Sequence, residues 1–372
     1  MTISQIEQKD SFKGFDFEQI WAISPHEEYT LPILKELPTP IVENITDFAG
    51  GNGTFYNPYK ISTKAHLNNV RNYTNANFIM IDDIAFAASD FALDGEYYNE
   101  GKGWIPICRD RYDVDFDYFS GVFDGNGHTV ANLYSKGEYA GLFGANYGTI
   151  KDLGVINGDI NGQASAGITV TNELTGQVLN CYFTGKIFAE ESAGGICASS
   201  GALINNCYST AEVVSNGSAG GIVSFAYNSK GISDCFFSGS VSGKEAGGIA
   251  GGTTLTNIVN SVNVGTVKGN LMVGGLVGRL GGSVINNSVN LGIVKDGTYK
   301  GAIAGYCDGP INNCYYNDIG LRATSWHVTG EINAKYLTSL QFKQKSSYPT
   351  FNFNEIWRLD EGMEYPMLKL ML

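Results

Sequence analysis

The chain has 372 residues, 48 of them glycine, with 16% charged residues, a net charge of −13 and a pI near 4.8. That acidity argues against nucleic acid or anionic lipid as a partner, because phosphates need a basic surface. The glycine has no three-residue period, which excludes collagen, and no run approaches the roughly 20 apolar residues of a membrane helix.

Residues 1–13 lack the apolar stretch of a signal peptide, and Met1 reads as an initiator added to an excised fragment. Residues 1–40 are read as the end of a preceding module. Their Phe15-Asp16-Phe17-Glu18-Gln19-Ile20-Trp21 returns near the other end of the chain as Phe351-Asn352-Phe353-Asn354-Glu355-Ile356-Trp357. Residues 41–118 are then the N-terminal cap of a new module plus an insertion. Residues 50–61 open it, and Ser62 precedes a short capped helix over residues 63–70. The insertion, about residues 88–118, carries Tyr97, Tyr98 and Trp104. Loops on a rigid scaffold are where binding sites concentrate, so these three are the candidate ligand-binding residues. The same stretch holds Asp113, Asp115 and Asp117, with Asp124 beyond it, in the spacing of a calcium loop. Tyr118 stands where such a loop needs glycine, and the alternation of Val114 and Phe116 also fits a solvated strand edge. Calcium is the one cofactor the sequence leaves open.

Residues 119–320 repeat. An apolar residue after small residues recurs as Leu142, Ile168, Ile196, Ile222, Ile249, Leu276 and Ile303, at intervals of 26 to 28. A second series runs in parallel: Asn180-Cys181-Tyr182, Asn206-Cys207-Tyr208, Asp234-Cys235-Phe236, Asn260-Ser261-Val262, Asn287-Ser288-Val289 and Asn313-Cys314-Tyr315. One unit of about 27 residues cannot bury its own inner face, so units must stack, with equivalent backbones pairing as parallel strands about 4.8 Å apart. The expected fold is all-β: a right-handed parallel β-helix with capping segments. Glycine is expected at its turns, where left-handed backbone angles are needed. The asparagine series reads as an amide ladder interrupted by Asp234, and the Cys/Ser series as a small inward slot. The aromatic series (Tyr182, Tyr208, Phe236, Tyr315) reads as core packing, with a sugar-stacking surface as its alternative. Residues 321–372 form the C-terminal cap, with the aromatic tail covering the open end of the stack.

Three groups of residues carry a family resemblance. They are Gly121-Val122-Phe123-Asp124-Gly125-Asn126-Gly127-His128-Thr129-Val130-Ala131-Asn132-Leu133, the Gly141-Leu142-Phe143-Gly144 that follows, and the Gly-Gly-Ile/Leu and Asn-Cys-Tyr series. Together they resemble GLUG-motif repeat proteins: bacterial surface adhesins and, similarly, the non-catalytic repeats of some IgA-specific metallopeptidases. The resemblance spans about residues 50–320. It implies an extracellular module at the bacterial surface, with a role in adhesion or display and no catalytic residues. The partners it implies are host or matrix glycan or protein and neighbouring modules of the same parent chain.

Chemistry is sparse. The four histidines are scattered, and His26-Glu27-Glu28-Tyr29 is not a zinc-protease motif. The seven cysteines form no Cys-x-x-Cys pair. The alternative function is a carbohydrate-active enzyme, a lyase or glycosidase, whose carboxylates would converge from neighbouring coils. Glu173, Glu190, Glu191, Glu212, Asp234 and Glu245 form no obvious column, and Arg279 stands nearly alone. The expectation is therefore not an enzyme.

Overall fold

The computed structural model describes residues 21–25, 30–34, 47–108, 117–317 and 320–371. The chain divides into two compact units, Met1–Asp47 and Phe48–Leu372. In the first, Trp21–Pro25 and Thr30–Leu34 form an antiparallel hairpin with Trp21 opposite Leu34.

The second unit is nearly all β, a parallel β-solenoid of about 7 turns. Each coil contributes three runs. In the coil that begins at Phe143–Asn146, the next are Thr149–Lys151 and Gly154–Ala166. The first runs of successive coils make an eight-stranded sheet, from Phe143–Asn146 to Thr324–Trp326. The other two belong to one larger parallel sheet. The sequence periods become the register: Ile150 lies beside Val178, then Ile204, Ile232, Ile258, Ile285 and Ile311. Ile196, Ile222 and Ile249 form one continuous buried line. The Ile196 amide donates to the Ile222 carbonyl at 2.8 Å, and Ile222 in turn donates to Ile249 at 3.2 Å. Each fully buried isoleucine contributes about 1.5–3 kcal/mol of transfer free energy, so the stack of inner faces supplies the stability that one coil lacks.

The asparagine series shares a role expected of glycine, which itself takes left-handed turns at Gly127 (φ 81°), Gly282 (φ 57°) and Gly297 (φ 90°). The left-handed corners are made by the asparagine series: Asn180, Asn206, Asp234, Asn260, Asn287 and Asn313 all have φ between 50° and 54°. Asn and Asp tolerate this region because their short polar side chains bond locally. Asp234 therefore belongs to the column rather than interrupting it. The glycines of the Gly-Gly motif have ordinary φ and serve close approach instead. A Cβ on Gly220 would lie 1.8 Å from the Val223 carbonyl oxygen, and one on Gly247 2.0 Å from that of Ala250. The amide ladder exists in part: Asn206 Nδ2 donates to Asn180 Oδ1 at 2.8 Å, and Asn180 Nδ2 to Asp152 Oδ1 at 2.7 Å.

Just inside these corners the Cys/Ser slot is fully buried. Each side chain donates to the carbonyl two residues earlier, Cys181 to Leu179 at 3.2 Å and Ser261 to Val259 at 3.0 Å. One geometry with one weak or strong donor explains why Cys and Ser alternate there. All seven cysteines are free and buried.

At the N-terminal end, Tyr59–Ile61, Asn77–Met80 and Val122–Asp124 start the ladder. The short helix is Lys64–Asn69. Its N-cap is Thr63 rather than Ser62, because Thr63 Oγ1 accepts from the His66 amide at 3.1 Å.

The C-terminal segment departs from the expected end cap. Strands Thr324–Trp326 and Ile332–Tyr336 extend the last coil, and the chain beyond them lies along the flank of the stack. There Phe342, Tyr348, Phe351, Trp357 and Leu368 cover the column Tyr208, Phe236, Val262 and Val289. The aromatic series thus faces outward from its coils and is buried by this clasp, while Tyr182 stacks on Tyr208 at 4.7 Å. Trp357 Nε1 donates to Asp234 Oδ1 at 2.9 Å, and Thr350 Oγ1 donates to Asn260 Oδ1 at 2.9 Å. Trp357–Arg358 pairs antiparallel with Met367–Leu368, placing Trp357 opposite Leu368. The N-terminal hairpin likewise pairs Trp21 with a leucine, Leu34.

Candidate functional site

The insertion does not present the rings expected of it. Trp104 is 1% and Tyr97 6% exposed, and Tyr98 is half-buried. Trp104 Nε1 donates to the Leu142 carbonyl at 3.1 Å, Arg71 lies over its ring at 5.1 Å, and Tyr97 and Phe86 pack against it. The insertion folds its aromatic residues inward to close the N-terminal end of the core. Trp104 and Tyr97 therefore offer no open face to a ligand.

Of the aspartates, Asp113 and Asp115 lie outside the described residues. Asp124 is ion-paired with Lys151, which also reaches Asp152 at 3.1 Å, and Asp124 Oδ1 accepts from the Asn126 amide at 2.8 Å. Burial pushes the pKa of Asp117 up, offset in part by the hydrogen bond with the Cys108 thiol. Among the described residues no group of three or more His, Cys, Asp and Glu side chains is placed to hold a metal ion.

Three acids of the coils are engaged by neutral partners. Tyr227 Oη donates to Glu173 at 2.5 and 2.6 Å, Glu191 accepts from Gln163 at 2.7 Å, and Asp234 accepts from Trp357. Burial raises the pKa of Asp234, and the hydrogen bonds from Trp357, Asn260 and Asn205 work against that rise.

The open surface lies on the eight-stranded sheet. Its register sets Phe225, Gly252, Arg279, Tyr306 and Trp326 side by side in consecutive coils. Trp326 is 42% exposed, Arg279 is exposed and Tyr306 is half-buried. The rings are ordered. Tyr299 stacks on Trp326 at 4.2 Å and 14°, His327 on Tyr306 at 4.9 Å and 10°, and Tyr306 meets Trp326 edge-on at 5.3 Å. Arg279 lies over Tyr306 at 5.8 Å. Among the described residues its guanidinium has no ion pair or side-chain hydrogen bond, and Trp326 Nε1 has no acceptor. The sequence carried a signal for this ridge: Phe225, Gly252, Arg279 and Tyr306 are spaced by 27. The signal is faint because that column changes residue type in every coil. A concavity of about 600 Å³ lies where the clasp meets the stack, lined by Val264, Leu291, Asn317, Tyr336, Phe342 and Tyr365 among others.

No family model matches the chain. Two curated proteins share stretches of sequence with it. One is halomucin of Haloquadratum walsbyi, 30% identical over 154 residues, covering 39% of this chain and 2% of that protein. The other is a candidate Gly-rich membrane protein of Evansella cellulosilytica, 40% identical over 102 residues, covering 26% of this chain and 10% of that protein. The chain thus spans a small part of each. Among the described residues no helix is long and apolar enough to cross a membrane. Among solved structures, a candidate immunoglobulin A1 protease from Bacteroides ovatus superposes with a TM-score of 0.61 at 21% identity, over 87% of this chain and 96% of that one. The chain therefore shares its β-solenoid fold with that protein.

Proposed function

We propose that this chain is a non-catalytic, GLUG-type module of an extracellular bacterial surface protein, which holds a ligand-binding ridge on a rigid stack and acts in adhesion or display. The observation that carries the reading is the ridge itself. Trp326, Tyr306 and Arg279 are held in place by ring stacking and β-pairing, yet keep free surface and free donors. Exposed ordered aromatics beside an unpaired guanidinium are the composition of binding hot spots. Among the coil acids, Glu173, Glu191 and Asp234 are each bound to a neutral partner. Stretches shared with halomucin and a Gly-rich membrane protein support a surface setting.

The test is a screen of the purified chain against immobilised glycans and matrix proteins, with released reducing ends followed in parallel. Binding without release, weakened by Trp326→Ala, is the expected result. Steady release of reducing ends would overturn the non-catalytic reading in favour of a carbohydrate-active enzyme.

A further inference from the structure

Resting on that reading of the ridge, we propose that its ligand is an uncharged polysaccharide lying along the stack, with Trp326, backed by Tyr299, as the ring platform and Arg279 as a hydrogen-bond donor. Four lines of physical argument converge on this class.

The first is shape. The ridge is one side chain wide in each coil, and it advances by one strand spacing per coil. From Phe225 to Trp326 there are four steps, about 19 Å. The neighbouring position is glycine in three coils, Gly251, Gly278 and Gly305, all buried. A narrow line of this length suits a chain. A globular partner needs about 800 Å² of well-packed surface on each side.

The second is the apolar contact. The C–H face of a sugar ring is flat and apolar, and an indole held at a fixed angle offers the matching surface. Tyr299, parallel to Trp326 at 4.2 Å, fixes that angle, so little rotamer freedom remains to be lost on binding.

The third is the polar contact. Sugar hydroxyls pair with planar donors and with acceptors. Arg279 supplies up to five N–H groups and Trp326 Nε1 one more, none of them committed within the described structure. Gly252 keeps the gap between Phe225 and Arg279 clear. A Cβ there would meet Phe225 Cδ2 at 2.9 Å.

The fourth is charge. A polyanion approaching a chain of net charge −13 meets an opposing field. One arginine does not reverse it. That selects neutral polymers over uronate-rich or sulfated ones.

The experiment is affinity electrophoresis of the full chain through gels containing soluble glucan, xylan or mannan, with polygalacturonate and heparin as anionic arms. Immobilised matrix proteins are tested alongside by surface plasmon resonance. Retardation in at least one neutral gel is expected, with Trp326→Ala weakening it about tenfold and Arg279→Ala weakening it less. Phe55→Ala, which removes a ring 74% exposed elsewhere on the surface, is expected to leave it unchanged. Unaltered thermal unfolding of the variants would exclude a folding defect. Retardation by the anionic polymers alone, retardation insensitive to Trp326→Ala, or retardation in no gel would each overturn the proposal. Matrix-protein binding that is lost in Trp326→Ala, without any glycan binding, would also overturn it while leaving the display function standing. Silence in every arm would remove both.

Discussion

At Asn287 the backbone sits at φ 51°, and among the described residues no side-chain hydrogen bond holds the residue there, so its place in the column rests on local conformational preference. A left-handed residue costs a β-carbon roughly 1–2 kcal/mol. Asn287→Ala should therefore destabilise the chain by about 1 kcal/mol, and Asn287→Gly by only a few tenths. Chemical denaturation of the pair checks this, and equal losses would show that φ is not what the column selects. The thiols make a second residue-scale case. Burial pushes Cys235 and Cys314 up to about 12 from an ordinary 9. Folding thus favours the neutral thiol, and the associated stability is complete below pH 9 and lost as pH rises toward 12. At pH 8 a thiol reagent should leave the native chain unlabelled and should label it readily in denaturant. The Asn and Cys/Ser columns were visible as recurring letters. Their causes, a left-handed corner and a donor reaching back two residues, were not, because both belong to the backbone path.

The clasp sets the scale of elements. Trp357 is fully buried against the flank of the stack, with its indole on Asp234. Large-to-small changes at such sites cost about 3–5 kcal/mol. The clasp meets the coils along their outer column and at the corners Asp234 and Asn260, not through their interior, so the loss from Trp357→Ala should stay local. Hydrogen exchange should rise across residues 337–371 and remain slow along the Ile196, Ile222 and Ile249 line. Asp234 adds a pH dependence with a definite sign. Its carboxyl pKa is raised in the fold by burial, so folding favours the protonated form, and stability declines as pH rises past its ordinary value near 4. Asp234→Asn, the residue found elsewhere in the column, keeps an acceptor for the indole and removes the buried charge. It should match or exceed the parent's melting temperature at pH 7 and lose that advantage in acid. A variant less stable at pH 7 would mean that the charge–indole bond outweighs the burial penalty.

Across the whole molecule the stack is close to one-dimensional, each coil resting on its neighbours. Removing residues 195–220, which joins Gly194 to Gly221 in the register they already share with their neighbours, should leave a soluble, β-rich protein shorter by about 4.8 Å. Circular dichroism and small-angle scattering would show it, and an unfolded product would mean that the stack depends on long-range closure. The repeat period alone determined the solenoid. A side chain at every twenty-seventh position must lie over its equivalent once strands pair in parallel, and a unit with no interior must find one in its neighbours. That period also contained the ridge from Phe225 to Tyr306, although changing residue types hid it, but not Trp326, which follows Tyr306 by 20 residues. Tertiary structure decided which apolar residues meet solvent. Tyr97 and Trp104 turned inward because the end of the stack needed closing. Tyr208 and Phe236 point out of their coils and are covered only because the tail folds back over them. Trp326 stays open because its strand is the last described in its sheet and the clasp lies on the other one. Hydrophobicity is a property of a residue, but exposure depends on what the rest of the chain places beside it.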